Sequence, residues 1–254
     1  MNVKPKKRLG QHFLRNEQIA EDIANSLITP NPNLIEIGPG MGVLTKYLMK
    51  RPNVNFSVVE LDEESVRYLQ QQYPDFVNNI IADDFLKLDL AEMYNEPLSI
   101  IGNFPYNISS QILFKLLDYK DLATELVGMF QKEVAERVAA KPGNKNYGIL
   151  TVLIQAFYDV EYLFTVHEYE FDPPPKVKSA VIRVVKNNEK QLHCDEVLFK
   201  KVVKTAFNQR RKTLRNSLKT FSFNPEYQSD PIFNKRPEQL SVKEFEEICI
   251  QISH

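Results

Sequence analysis

The chain has 254 residues, 26% of them charged and 43% hydrophobic, a globular balance that excludes a disordered or fibrous protein. Its 32 basic and 33 acidic residues give a formal net charge of −1. No run approaches the roughly 18 apolar residues of a membrane span, the basic N-terminus lacks the apolar stretch of a signal peptide, and Cys194 and Cys249 are too few for a disulfide scaffold or a cysteine zinc site, so the expectation is a protein of the reducing cytoplasm with no membrane partner.

From residue 34 to about 185, short β-rich runs alternate with helical spacing. Leu34–Ile37 predicts a first strand ending at Gly38, and Val43–Lys50 a helix. Phe56–Leu61 predicts a second strand, followed by a helix over Glu63–Gln72. Asn79–Ala82 and Leu98–Ile101 are the third and fourth strands. Leu126–Phe130 is a fifth, leading into a helix over Lys132–Ala140. Tyr147–Tyr158 is apolar around much of its circumference and reads as a buried helix. Glu161–Val166 and Ala180–Lys186 are the last strands; only a Pro-rich loop separates them, so they are expected to pair antiparallel. The alternation implies a largely parallel sheet with helices on both faces. Beyond Lys186 a polar linker leads to helices expected over Glu196–Phe207, Arg210–Thr220 and Ser241–Ile252, the last with Ser241 and Glu244 spaced as a capping box. The expected domains are 1–187 and 188–254.

Charge is not evenly spread along this pattern. Residues 1–16 carry five basic side chains and residues 197–225 carry eight, with no acidic residue in either, so the rest of the chain holds −14. Such clusters read equally as solvated surface and as the footprint of a polyanion.

Glu36-Ile-Gly-Pro-Gly-Met-Gly42 sits where the first strand meets the first helix, and its glycines allow a tight turn and close approach of a ligand. Gly38 and Gly40 are followed by Val43 where the nicotinamide fingerprint needs a third glycine, and no Gly-Lys-Ser/Thr follows. No basic residue in the loop would pair with a pyrophosphate. Glu60 ends the second strand 22 positions beyond Gly38, the spacing at which a carboxylate receives ribose hydroxyls. Asp83 and Asp84 end the third strand, where a carboxylate suits an adenine amino group. In series these features favour an adenosyl cofactor without pyrophosphate. The set resembles the class I S-adenosylmethionine-dependent methyltransferases. That resemblance implies a Rossmann-like fold of a mostly parallel seven-stranded sheet with its last strand antiparallel. It also adds Leu61 and Phe85 to the cofactor-binding residues.

The fourth strand runs into Gly102-Asn-Phe-Pro-Tyr-Asn107. An exocyclic amine on a base is a poor nucleophile because its lone pair is delocalised into the ring. The Asn103 side-chain carbonyl and the Phe104 main-chain carbonyl can each accept one N–H, drawing the amine toward tetrahedral geometry. Pro105 restricts its own φ and the conformation of Phe104, and Tyr106 offers a ring on which a base can stack. The segment resembles the Asn-Leu-Pro-Tyr motif of the rRNA adenine N6,N6-dimethyltransferase family, with Phe104 in place of Leu.

That resemblance covers nearly the whole chain. Lys7-Arg-Leu-Gly-Gln-His-Phe-Leu14 looks like the family's N-terminal motif, implying that His12 and Leu14 contact cofactor through their backbones. Phe171-Asp-Pro-Pro-Pro-Lys-Val-Lys-Ser-Ala-Val181 looks like another family segment. It implies that Phe171 forms the side of the base pocket opposite Tyr106, although position alone makes Phe171 one more core aromatic. Ala206-Phe-Asn-Gln-Arg-Arg-Lys-Thr-Leu-Arg-Asn-Ser-Leu218 resembles the bacterial small-subunit rRNA enzymes of the family. The resemblance implies S-adenosylmethionine as cofactor and two adjacent adenosines near the 3′ end of small-subunit rRNA as target, in the pre-30S particle. Asn103, Phe104, Pro105, Tyr106 and Phe171 are the catalytic candidates. Lys6, Lys7, Arg8, Arg210, Arg211, Lys212 and Arg215 are the RNA-binding ones. No metal site and no oligomer is expected. A large-subunit rRNA methyltransferase, a DNA adenine methyltransferase and a ribosome-assembly factor remain as rival readings.

Overall fold

The computed structural model describes residues 3–252. They form two compact units, residues 3–135 with Val160–Lys186, and Glu136–Asp159 with residues 187–252. Residues 136–159 group with the C-terminal residues. The reason lies in the helix Ile149–Gln155, in which Leu150, Val152, Leu153 and Ile154 are all buried. A helix apolar all round needs neighbours on every side, and here the helices Glu196–Asn208 and Val242–Ile250 pack against it.

The strands of the chain are β1 (Phe13–Leu14), β2 (Asn33–Ile37), β3 (Asn55–Val59), β4 (Ile80–Ile81), β5 (Leu98–Asn103), β6 (Ala123–Gln131), β7 (Tyr158–Val166), β8 (Phe171–Asp172) and β9 (Ser179–Lys186). Seven of them form one sheet in the order β4-β3-β2-β5-β6-β9-β7. Strand β2 pairs parallel with β3 and β5, β3 with β4, and β5 with β6, while β9 runs antiparallel to β6. All five residues of β2 are buried, as expected of a central strand covered on both faces. The order runs outward from β2 in both directions, so the C-terminal ends of β2, β3 and β5 open a crevice at the topological reversal. The two-stranded pair of β1 with β8, antiparallel, has no counterpart among the predicted elements.

One buried charge braces the sheet. Glu125 on β6 has no solvent exposure; its carboxylate accepts the N–H groups of Ile28 and Thr29 and the hydroxyl of Ser99. A buried carboxylate is tolerated because its lone pairs are met in this way.

The second unit corrects one predicted helix. Over 210–220 only Leu214–Ser217 is helical. Thr213 has extended backbone (φ −68°, ψ 157°), and the Leu214 N–H bonds to the Lys235 carbonyl at 2.9 Å. Tertiary pairing thus places Arg210, Arg211 and Lys212 in a turn. The capping box at Ser241 forms, with Ser241 Oγ accepting from the Glu244 N–H at 3.2 Å and Glu244 Oε2 from the Ser241 N–H at 2.8 Å. Cys194 and Cys249 are free thiols. Replacing Ser241→Ala is expected to lower the unfolding free energy by about 1 kcal/mol, read from urea denaturation; an unchanged midpoint would show that the cap contributes nothing.

Candidate active site

The crevice is a cleft of about 140 Å³ in the first unit, lined by the ends of β2, β3 and β5, the loop after β4 and residues 9–13. Gly38 and Gly40 follow β2, Glu60 and Leu61 follow β3, and Asp84 and Phe85 follow β4. Asn103, Phe104, Pro105 and Tyr106 form the wall at the end of β5. The cofactor and catalytic candidates from four separate strand ends are therefore brought to one place, with the exception of Leu14 and Phe171.

At the glycine loop the backbone does the positioning. Gly40 has φ 56°, and a Cβ there would stand 2.8 Å from the Phe13 ring. Its N–H donates to Glu60 Oε2 at 3.1 Å, while Glu60 Oε1 accepts the Asp62 N–H at 2.8 Å. Glu60 is 5% exposed, and burial pushes its carboxyl above the usual range against the pull of those N–H groups. Each carboxylate oxygen keeps a further lone pair for a ligand hydroxyl. Asp84 Oδ1 accepts the Leu86 N–H at 3.0 Å, which caps the short turn that carries Phe85.

The fit of an adenosyl group rests on the composition of this wall. Acceptors stand at two strand ends, apolar Leu61 and Phe85 lie beside them, and no Lys or Arg lines the cleft. That suits a nucleoside without phosphates; a pyrophosphate would find no cation.

Asn103 is held from the N-terminal arm. Its Nδ2 donates to the His12 carbonyl at 3.0 Å, which leaves Oδ1 as the acceptor of that side chain toward the cleft. The Phe104 N–H donates to the Met129 carbonyl at 3.2 Å and its ring is 1% exposed. Tyr106 is pinned by a 2.5 Å hydrogen bond between its hydroxyl and that of the buried Ser179, and burial raises the phenol above its ordinary range. The ring of His12 lies 5.3 Å from that of Tyr106, tilted by 31°, and its Nδ1 is 2.8 Å from the Pro173 carbonyl oxygen.

Leu14 and Phe171 do not line this cleft. The two are register partners in the β1–β8 pair, 4% and 2% exposed, and both belong to the apolar core. Side chains alternate along a strand: Leu14 turns to the core, so Phe13, which had no role in the motif, faces the cleft. The ring beside Tyr106 is that of His12. The Pro-rich segment instead supports the wall from behind, through Pro173 on His12 and Ser179 on Tyr106.

Two further residues were not signalled by sequence. Lys115, on the helix Ser109–Asp118, donates to the carbonyls of Leu86 and Leu88 and lies 5.2 Å from the Phe85 ring centroid, which ties the Phe85 turn to the helix after Tyr106. Gln11 accepts the Lys6 N–H at 2.8 Å and donates to Asp62 at 3.4 Å. Lys6 itself pairs with Asp62 and Glu64 at the start of the helix Glu63–Gln72, so this candidate for RNA contact is engaged within the first unit. Lys7 and Arg8 are exposed. In the second unit Arg210 donates to the Lys145 carbonyl at 2.5 Å, and Arg215 to the Gln228 carbonyl at 3.0 Å. Arg211 and Lys212 are exposed.

The model of the family described as "Ribosomal RNA adenine dimethylase" matches residues 2–248. The chain belongs to that family. A protein of Phocaeicola vulgatus named ribosomal RNA small subunit methyltransferase A is 60% identical over 254 residues, covering 98% of this chain and 90% of that protein. One of the same name from Parabacteroides distasonis is 61% identical over 251 residues, covering 98% and 94%. Among solved structures, a dimethyladenosine transferase from Plasmodium falciparum superposes with a TM-score of 0.76 at 24% identity, over 94% of this chain and 96% of the other, and shares the fold. The chain is accordingly an S-adenosylmethionine-dependent rRNA adenine methyltransferase with the Rossmann-like sheet expected. Among the described residues no helix is long and apolar enough to cross a membrane and no cluster of metal-binding side chains occurs.

Glu36 generates a pH prediction. It is 1% exposed beneath the glycine loop, accepts the Thr45 hydroxyl at 2.7 Å, and burial pushes its carboxyl up to about 8, opposed by that hydrogen bond and aided by Glu60. Between the ordinary carboxyl range and about 8, the folded chain keeps a proton that the unfolded chain releases. Its contribution to stability is therefore full in acid and lost as the pH rises through this window. Glu36→Gln is expected to unfold like the parent near pH 5 and at a higher temperature than the parent near pH 8, measured by thermal melts. A constant difference across that range would contradict the assignment.

Proposed function

We propose that the chain transfers methyl groups to N6 of two adjacent adenosines in a hairpin near the 3′ end of small-subunit rRNA, giving N6,N6-dimethyladenosines. We place it as a monomer acting on the pre-30S particle in the cytoplasm. The observation that carries the mechanism is the orientation of Asn103. With Nδ2 bonded to the His12 carbonyl, Oδ1 is the atom left to accept an N–H from the target amine. The Phe104 carbonyl is the second acceptor, and Pro105 restricts the backbone between them and Tyr106.

S-adenosylmethionine, when bound, supplies an electrophilic methyl group. Glu60 and Asp84 would hold its ribose and adenine, with Leu61 and Phe85 beside them. The chain's own residues act on the amine. Two acceptors on its hydrogens localise the nitrogen lone pair, and Tyr106 gives the unstacked base a ring to lie against, worth about 1–3 kcal/mol. No side chain need remove a proton before attack. Holding the amine in line with the methyl group supplies much of the rate.

The curated relatives named for the small subunit support that target over the large subunit. Mass-spectrometric mapping of adenosine methylation in rRNA from cells with and without the gene tests it. The loss is expected at adjacent adenosines near the 3′ end of the small-subunit RNA, and a loss in large-subunit RNA instead would reverse the assignment. Asn103→Ala is expected to bind S-adenosylmethionine as the parent does and to lose turnover by about 100-fold or more, the size of one lost charge-stabilising contact. Parental turnover by this variant would remove the mechanism.

RNA binding falls to the exposed basic side chains. Arg211 and Lys212 carry no internal hydrogen bond comparable to those of Arg210 and Arg215, so they are the better contacts to phosphate. Reversing both to Glu is expected to weaken binding to small-subunit particles, to flatten its salt dependence and to leave cofactor affinity unchanged. Equal loss of both affinities would refute this division of labour.

A further inference from the structure

Gly102 and Gly128 are register partners on the adjacent parallel strands β5 and β6. Neither has the positive φ that favours glycine, although five other glycines do. Backbone freedom therefore does not account for them, and space does. A Cβ at Gly128 would stand 2.0 Å from Cε2, 2.7 Å from Cδ2 and 2.9 Å from Cζ of Phe104. A Cβ at Gly102 would meet Cε1 of the same ring at 2.8 Å and the Ile37 carbonyl oxygen at 2.6 Å. The Phe104 ring thus lies flat over a slot made by two missing side chains.

The ring has no room to give way. It is 1% exposed and meets the Phe130 ring edge-on at 5.0 Å, and the Phe104 N–H is tied to the Met129 carbonyl. Close-packed interiors pass such a displacement on to their neighbours. Here the nearest covalent neighbour is the backbone of Phe104 itself, between Asn103 and Pro105.

We propose that Gly128 is a positioning residue for methyl transfer: the side chain it lacks is the seat of the Phe104 ring, and that seat sets where the Phe104 carbonyl stands. The inference rests on this carbonyl accepting a hydrogen of the target amine, as proposed above. Gly128 touches neither cofactor nor base in this arrangement; it is absent from the cleft lining and acts through Phe104.

The test uses the full chain with S-adenosylmethionine and small-subunit particles. It compares Gly128→Ala, Phe104→Leu and the double variant with the parent. Gly128→Ala is expected to lower kcat by roughly a hundredfold, the cost of displacing a reacting group by about an ångström. The cofactor Kd and the KM for particles should stay at parental values. Phe104→Leu removes Cε2 and Cζ, the first of them the closest of the colliding atoms, so the double variant is expected to recover the kcat of Phe104→Leu alone. Parental kcat in Gly128→Ala overturns the proposal, as does a double variant no better than Gly128→Ala. A fall in cofactor affinity matching the fall in kcat also overturns it, since that reports general damage. If Gly128→Ala does not fold, the double variant decides: folded and active upholds the seat, unfolded overturns it. Loss and rescue at Gly128 together with full activity of Asn103→Ala would uphold the seat and sink the acceptor mechanism, so the two failures are distinguishable.

Discussion

The hydrogen bond from Asn103 to the His12 carbonyl joins positions 91 residues apart and decides which end of an amide faces the substrate. A carboxamide is a donor at one end and an acceptor at the other. With Nδ2 turned to the His12 carbonyl, the other end of the Asn103 amide, Oδ1, is an acceptor, which is the polarity an amine nucleophile needs. The same bond makes the N-terminal arm part of the wall. His12 is held at three points: its carbonyl on Asn103, its ring nitrogen at Pro173 and its ring against Tyr106. Arm, motif loop and Pro-rich segment are therefore one hydrogen-bonded structure, and none of them presents its reactive atoms correctly by itself.

Carboxylates do most of the electrostatic work inside the first unit, and they do so in different ways. Glu125 is fully buried and satisfied by backbone and hydroxyl donors on the far side from the cleft. Glu36 lies beneath the glycine loop with one hydroxyl partner, and burial keeps its proton on. Glu60 receives two backbone N–H groups and faces the cleft. The near-zero net charge of the chain is thus a sum over acidic groups with separate structural duties and basic segments on the surface. Those basic segments are not uniform either: Lys6, Arg210 and Arg215 are drawn into internal contacts, while Arg211 and Lys212 remain exposed.

Size complementarity below the reacting wall links two strands that share no sequence motif. A phenyl ring at 104 requires that its neighbours in β5 and β6 have no side chain, and Gly102 and Gly128 meet that requirement side by side.

Much of this protein was legible in the one-dimensional chain because its signals are local. All seven strands of the sheet, the helix Glu63–Gln72 and the Ser241 capping box follow from periodicity, turn residues and caps, which depend on neighbours a few positions away. Gly38, Gly40, Glu60, Asp84 and Asn103 follow from the rule that strand ends carry the site, so their spacing in sequence already implied convergence. The facing direction of Leu14 and Phe171 was not legible, because it depends on a two-residue pairing across the fold whose alternation sends Phe13 to the cleft instead. Nor was the turn at Arg210–Lys212, where a backbone bond to Lys235 overrides helical spacing. The roles of His12, Lys115 and Gly128 belong to the tertiary structure alone. Each is defined by what stands against it from another element, and a residue's neighbours in space are fixed by packing rather than by order along the chain.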